Sequence, residues 1–546
     1  MNQSSVPGQK TPGILVGFYS ALVLLLLFAG VKLYRSFNFP SRRSAGQVQQ
    51  ASDDTLHLVT LLANFNLNPY VTENVEDVFL CNQVYSGLVK LDQAMIEIPD
   101  LAQRWSISPD RKRYTFYLRP EARFHNGEPV TAFDVQASFE FYLRHYPRGY
   151  FAEFFKVIQG VDQFQRKSRD HISGLQALDS LTLRIDLVRP YPPFLKLLSV
   201  VEAKVLPRSV LAAGAQAIID RATGSGPFQL VKRSKHALVL KRFPEYWMPS
   251  SRRGFKYVQV LLNKRSGERL LEENRFDLIY YLVEGYDIDF EQYNRFQFPT
   301  LSISMLNLNC RRFPTNLPAF RRALAVGMNK AALFKNLGSL EQITDYPCPL
   351  YLPRPDEGRE PALPDLSRAQ AMLAAIKDSL GIDSFPSLEI AADTNYFPLE
   401  LYRKFSAYLD TLGLDNRLHF YQSLPWEQER EFVRKFHFSF LTWNLDLPDP
   451  QFFFDLFFKS DSPSNLTNYT DPEVDALLEK AAQTIALNQR LQLYAQVEAH
   501  IMQDLPIIPL SNIKEILYLR KNLRNISLNR LGIASLDLSS IEKFSN

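Results

Sequence analysis

Alternating apolar positions predict β-strands in the first half of the chain. Leu181, Leu183, Ile185 and Leu187 stand at every second position, a spacing that places their side chains on one face of a strand. Runs rich in β-forming residues at 56–61 and 114–118, and a second alternation at Leu238 and Leu240 within residues 231–242, predict further strands.

Apolar residues three or four positions apart predict helices between and after these strands. Thr131 is a suitable N-cap for the first of them. The predicted helices cover residues 132–142, 318–337, 367–380, 399–412 and 472–504. Because strands and helices are mixed without a regular βα repeat, the pattern favours α/β domains with crossover connections.

Residues 14–31 form an apolar run without a charged residue. As a helix, the run would span roughly 27 Å, close to the thickness of the hydrocarbon core of a bilayer. It is long for the apolar region of a signal peptide, and no small-residue cleavage site follows it. We therefore expect residues 1–53 to be an uncleaved transmembrane anchor and a linker, with a cleaved signal peptide as the alternative.

The charges beside this run leave its orientation open. Four basic residues follow it, whereas only Lys10 and the amino terminus precede it. By the positive-inside rule this distribution would place the body of the protein in the cytoplasm.

Composition excludes several classes of protein. The chain has 546 residues, of which 46% are hydrophobic and 13% aromatic, so it is neither disordered nor collagen-like, and two or three domains are expected. Residues 1–52 hold five of the 62 basic residues and none of the 58 acidic ones. The remaining chain is nearly neutral, which argues against a nucleic-acid partner.

Known catalytic and metal-binding patterns are missing from the sequence. It contains no GxSxG, HExxH or GxxxxGK[ST] motif, and no two of its eight histidines lie within four residues of each other. We therefore predict no catalytic residue, no metal and no cofactor. Cys81, Cys310 and Cys348 are too few for a disulfide scaffold, although one disulfide or three thiols remain possible.

Five sequence blocks, in order along residues 56–510, resemble the family 5 extracytoplasmic solute-binding proteins of ABC importers. The most specific stretch belongs to the first block and runs from YTFYLR at 114–119 through FHNG at 124–127 to PVTA at 129–132. The same block includes VYSGL at 84–88, and the other four blocks include PYPP at 190–193, GSGPF at 224–228, LNLN at 306–309 and WNLD at 443–446.

The resemblance implies an α/β, two-lobed fold of the class II periplasmic-binding-protein type with an inserted subdomain, here preceded by one transmembrane helix. Lobe I is expected to combine residues 54–84, 175–301 and 508–546, with residues 85–174 as the insertion. Lobe II is expected at residues 302–507. Residues 1–53 would be the anchor and linker.

The resemblance also implies a function. The chain is expected to capture di- or oligopeptides between its lobes on the periplasmic side, and to deliver them to an ABC permease and its ATPase. Other members of the family take metal chelates, haem or sugars, so a non-peptide solute is one alternative. A membrane-tethered hydrolase is the other, which the missing catalytic motifs disfavour.

Asp446 aligns with the family's ammonium-binding aspartate, three residues after Trp443. A buried α-ammonium needs a carboxylate partner, because an unpaired charge is strongly disfavoured in a protein interior. Phe440 stands where some members carry a basic residue, so the resemblance assigns no group to a peptide's carboxylate end. The other residues that it places at the ligand are Thr442, Trp443, Asn444, Trp426 and the loop Glu73, Asn74 and Val75.

Overall fold

The computed structural model describes residues 54–544, apart from 61–64, 73, 150, 235–236, 249–253, 263–275, 281–289, 336–340, 351, 354–361, 395–396 and 423. Residues 1–53 are a separate unit outside the described residues, and the predicted transmembrane run 14–31 lies within that unit. Within the described part of the chain, no helix combines the length and the apolar character of a membrane span.

Twenty strands lie in the described part and are numbered in chain order. They are Thr55–Thr60 (β1), Val89–Leu91 (β2), Glu97–Pro99 (β3), Ala102–Ile107 (β4), Arg113–Leu118 (β5), Leu175–Ala177 (β6), Thr182–Asp186 (β7), Phe228–Arg233 (β8), Ala237–Arg242 (β9), Tyr257–Leu262 (β10), Leu278–Tyr280 (β11), Tyr293–Pro299 (β12), Ser302–Leu308 (β13), Glu341–Ile343 (β14), Leu388–Asp393 (β15), Asn416–Tyr421 (β16), Phe438–Asn444 (β17), Ile507–Arg520 (β18), Leu523–Arg524 (β19) and Glu542–Lys543 (β20).

Fourteen α-helices accompany these strands in the same part of the chain. They are Val75–Val84 (α1), Ala132–His145 (α2), Val161–Gln165 (α3), Phe194–Leu197 (α4), Arg208–Leu211 (α5), Ala215–Arg221 (α6), Pro318–Gly327 (α7), Lys330–Phe334 (α8), Leu366–Leu380 (α9), Leu399–Thr411 (α10), Trp426–Val433 (α11), Pro450–Phe458 (α12), Pro472–Gln483 (α13) and Leu487–Asp504 (α14).

A mixed sheet of twelve strands runs through the body in the order β16-β15-β17-β13-β18-β11-β1-β10-β9-β8, with β12 and β14 also paired to β18. The pairs of β1 with β10 and β11, and of β15 with β16 and β17, are parallel. The other pairs in this sheet are antiparallel. This mixed sheet agrees with the expected α/β class.

Strand β13 is buried on both faces. Ile303 and Met305 pack into the core that holds α12, α13 and α14, whereas Leu306 and Leu308 pack into the core of α7, α9 and α10. Because successive side chains of a strand point to opposite faces, helices must cover both sides of β13.

Strand β18 connects the two ends of the large sheet. Residues 507–513 pair with β13 and β14, and residues 514–520 pair with β12 and β11. The predicted boundary between residues 507 and 508 therefore lies at the start of a strand that both ends of the sheet share.

A smaller sheet, in the order β4-β5-β7-β6, packs in one core with α2. Strand β5 pairs with β7, so the predicted boundary at residue 174 falls between strands of a single sheet. Helix α2 begins after Thr131 as predicted, and the backbone N–H of Thr131 donates to the Asp134 carboxylate at 2.9 Å.

Two of the predicted helices are each broken in two. The predicted helix 318–337 ends at Gly327, and Asn329 caps α8 by accepting a hydrogen bond from the Ala332 N–H at 3.0 Å. The predicted helix 472–504 is interrupted at Thr484, whose backbone is extended and whose N–H bonds back to Lys480 and Ala481. The apolar periodicity continues across both breaks, which is why it predicts single helices.

The block Gly224–Gly226 packs tightly against the end of α1. A Cβ atom on Gly224 would lie 2.0 Å from the Val84 carbonyl oxygen, and the Gly226 N–H donates to that oxygen at 2.8 Å. These glycines therefore serve a close backbone approach. Cys81, Cys310 and Cys348 form no disulfide with one another, so of the two possibilities left open above the structure has three thiols.

Candidate functional site

A cavity of about 1650 Å³ opens between the start of α1, the start of α11, the end of β17 and the middle of β18. It exceeds the roughly 300–1,000 Å³ of a typical small-molecule site. A ligand of several residues therefore has room in it.

Seven of the eight sequence-predicted ligand residues line this cavity. They are Asn74, Val75, Trp426, Thr442, Trp443, Asn444 and Asp446. The eighth, Glu73, lies outside the described residues. The fold thus brings together segments that are separated by more than 300 positions in the chain.

The end of β17 supplies one wall of the cavity. Thr442 is opposite Ser304 of β13, and their hydroxyl oxygens lie 2.8 Å apart in a hydrogen bond. The Trp443 ring packs at 5.3 Å between centroids against both Trp426 and Phe457. These contacts hold the two tryptophans as a rigid aromatic surface.

The start of α1 supplies the facing segment. The Asn74 side chain accepts a hydrogen bond from the Asp77 N–H at 2.8 Å and so caps the helix. The side-chain oxygen of Asn74 is therefore engaged within the protein.

Asp446 follows β17 and is half-buried on the cavity wall. Burial raises the pKa of its carboxyl group from 3.8 to about 7. Among the residues that the structure describes, no Lys, Arg or His side chain forms an ion pair with it. Asp446 thus has a carboxyl group without an ion-pair partner among the described residues.

The family assignment follows from a comparison of the whole chain with known proteins. Residues 97–465 match the family described as bacterial extracellular solute-binding proteins, family 5. The chain belongs to this family. Family 5 membership confirms the resemblance.

Individual relatives cover most of the family 5 chain. It is 27% identical over 503 residues to the probable D,D-dipeptide-binding periplasmic protein DdpA of Escherichia coli, covering 87% of this chain and 92% of the relative. The solved murein tripeptide binding protein MppA of Escherichia coli has a TM-score of 0.76 at 19% identity, covering 91% of this chain and 99% of that one. Campylobacter jejuni NikZ, solved with Ni(L-His), has a TM-score of 0.72 at 21% identity, covering 90% and 100%.

The cavity of this family 5 protein is acidic, a property that its nearly neutral body does not reveal. Its described lining includes eleven acidic residues and four basic ones. Burial raises the pKa values of Glu76, Glu341 and Glu515 to about 7, and it also raises the pKa of Glu202. No sequence motif marks these four residues, because they come from distant segments and share only the cavity.

Two lysines of the cavity lie near one buried acid. Lys204 is almost wholly buried, and desolvation lowers the pKa of its ammonium group, while the charges of Asp100 and Lys90 act on it in opposite directions. Asp100 accepts a hydrogen bond from the Gly87 N–H at 3.0 Å. The positive charge of Lys204 is therefore balanced largely by the Asp100 carboxyl group of the protein itself.

One group in the described part of the chain has the geometry of metal ligands, outside the cavity lining. His500 lies between Asp471, at 3.2 Å from Nδ1, and Glu473, at 3.5 Å from Nε2. These residues come from the two sides of the break between α13 and α14, so histidine spacing could not predict them. Both imidazole nitrogens face carboxylates, which is the arrangement of an ion pair.

Proposed function

We propose that this family 5 protein is the extracytoplasmic receptor of an ABC importer and that it binds peptides in the 1650 Å³ cavity. An ABC permease and its ATPase would be its partners. The observation that carries the proposal is the position of Asp446, whose carboxyl group lies on the wall of a cavity large enough for several residues and forms no ion pair with a described side chain. The peptide ligands named for DdpA and MppA support it.

The proposed ligand pose follows from the cavity wall. The α-ammonium of the peptide would pair with Asp446, and its backbone would run along Thr442, Trp443 and Asn444. The loop of Glu73, Asn74 and Val75 would face the peptide backbone from the other side, and Trp426 would form a pocket wall. Strand-like pairing satisfies a bound peptide's N–H and C=O groups without reading its sequence.

A metal chelate is the alternative that one comparison favours, since NikZ was solved with Ni(L-His). Mass spectrometry and elemental analysis of the ligands released from the purified full-length protein distinguish the two. We expect intact peptides with free amino groups. Stoichiometric nickel, haem or sugar without peptide would contradict the proposal.

We also propose that the two lobes move on ligand binding. Lobe I would combine residues 54–84, 175–301 and 508–546, the insertion would be 85–174, and lobe II would be 302–507. Small-angle scattering of the purified protein should show a smaller radius of gyration when trialanine is added. An unchanged radius at saturating trialanine would contradict lobe closure.

We propose further that residues 14–31 stay attached as a membrane anchor and that the body faces outward. The length of the apolar run and the missing cleavage site support retention, and the extracellular description of the family supports the orientation. Amino-terminal sequencing of the native protein tests retention, which a start after Ala45 would refute. Protease added to intact spheroplasts should digest the body, and protection would refute the orientation.

A further inference from the structure

A second carboxyl group in the cavity of the proposed ammonium site belongs to Glu202. Glu202 lies in the short 3-10 helix Val201–Ala203 and lines the same cavity as Asp446. Its Oε2 atom is buried and has no hydrogen-bond partner in the part of the chain that the structure describes. The Asp446 charge lies close enough to raise the pKa of Glu202 further, in addition to the larger effect of burial.

No positive charge from the described residues compensates this pair. Glu202 acts electrostatically on Tyr142 of α2 and on Cys81 of α1, and burial raises the pKa values of both, so both are neutral near pH 7. Lys204 is two residues along the chain, but the charges acting on it come from Asp100, Lys90 and Cys81. Among the described residues, no ion pair within 4.0 Å joins a cation to either carboxyl group.

Two neighbouring carboxylates in a desolvated site cannot both ionise without a counter-charge. An empty site of this kind retains protons, and a ligand that supplies positive charge releases them. One α-ammonium balances one carboxylate, which leaves the second protonated. A ligand with two positive charges at its amino end balances both.

We propose that Glu202 and Asp446 together bind two positive charges at the amino end of the ligand, so that the receptor prefers peptides whose first residue has a basic side chain. This inference rests on the proposed function, in which Asp446 pairs with the α-ammonium. The excess of acidic over basic residues in the described cavity lining favours the same class of ligand.

Calorimetry of the full-length protein at pH 6 tests the inference with trialanine, Lys-Ala-Ala and Ala-Ala-Lys. The last two peptides have the same composition and net charge, so they differ only in where the second positive charge lies. We expect Lys-Ala-Ala to bind about tenfold more tightly than Ala-Ala-Lys, which corresponds to about 1.4 kcal/mol.

Titrations in phosphate and in Tris, which differ in their ionisation enthalpy, count the protons released on binding. We expect nearly two protons for Lys-Ala-Ala and about one for each of the other peptides. Glu202→Gln should reduce the preference for Lys-Ala-Ala to within twofold and its proton release to about one. Asp461→Asn removes an exposed acid outside the cavity lining and should leave the preference unchanged.

The outcomes separate this inference from the proposed function. If wild-type protein binds all three peptides equally and releases one proton with each, the inference is wrong and peptide binding stands. If none of the three binds, peptide capture itself is contradicted. Retained binding of trialanine by Glu202→Gln shows that the variant is folded, and an undiminished preference in that variant would overturn the role of Glu202.

Discussion

Replacing Asp446 by asparagine tests the proposed ammonium site most directly. Asparagine keeps the shape of the side chain and removes its charge. Because the Asp446 side chain accepts no hydrogen bond from another residue in the described part of the chain, the replacement leaves no partner unsatisfied. The free energy of unfolding of the empty protein should therefore not fall, and at neutral pH it should rise, because the unfolded wild type gains from ionising a carboxyl group that burial keeps partly protonated in the folded state.

The expected loss of affinity follows from the burial of the carboxyl group. Burial raises the pKa of Asp446 from 3.8 to about 7, which corresponds to roughly 4 kcal/mol against its charged form. A bound ammonium offsets this penalty, and breaking such a buried pair costs about 3–5 kcal/mol. Trialanine should therefore bind Asp446→Asn more weakly by about two to three powers of ten at neutral pH.

Calorimetry with trialanine and N-acetyl-trialanine completes the test as a double-perturbation cycle. Acetylation removes the ammonium charge, so it should weaken binding to the wild type strongly and to Asp446→Asn much less. The two losses should not add, since both remove the same interaction. Asp461→Asn, an exposed aspartate outside the cavity lining, is the matched control and should bind trialanine within twofold of the wild type.

Equal affinity of the wild type for trialanine and its acetylated form would refute the assignment of Asp446. It would also favour a ligand without an ammonium group. A loss of affinity in Asp446→Asn accompanied by a comparable loss of unfolding free energy would instead show that Asp446 acts on the fold.

Three further predictions concern stability and pH. Asp449→Asn should lower the free energy of unfolding by about 3–5 kcal/mol in urea titrations, because the buried Arg490 guanidinium, 2.7 Å from the Asp449 carboxylate, loses its counter-charge. Gly224→Ala should destabilise by about 1–3 kcal/mol and lower the Tm in calorimetry, since its Cβ would lie 2.0 Å from the Val84 oxygen. Trialanine affinity should rise by up to about tenfold per pH unit from pH 5 to 7, as Asp446 loses its proton, and fall above about pH 8 as the ligand amine is deprotonated.

Each of these predictions has a control in the same chain. Asp461→Asn removes an exposed ion-pair partner of Lys459 and should change the unfolding free energy by less than about 0.5 kcal/mol. Gly413 has no atom within 4 Å of the position that a Cβ would take, but its φ is positive at 70°. Gly413→Ala should therefore measure, in the same calorimetry, the cost of backbone strain without a steric clash. If the trialanine affinity of the wild-type protein did not change between pH 5 and 7, that result would contradict the raised pKa of Asp446.

Local sequence signals predict the regular elements where neighbouring residues decide the outcome. The alternation of leucines at 181–187 predicts β7, and Thr131 marks the start of α2. Periodicity fails at Asn329 and Thr484, because a cap or a back-bonded turn can interrupt a helix whose apolar stripe continues. Only the bonds formed in the folded chain distinguish such a break from a longer helix.

The amino-acid sequence alone is enough to identify the family, the α/β class and seven of the residues that line the cavity, because these depend on motifs that stay together in the chain. The electrostatics of the site depend on the folded chain. Glu202 and Asp446 are distant in sequence and ordinary in composition, and their carboxyl groups influence each other only because folding places both in one cavity and removes them from water. Burial and through-space charge act between residues that no local pattern connects.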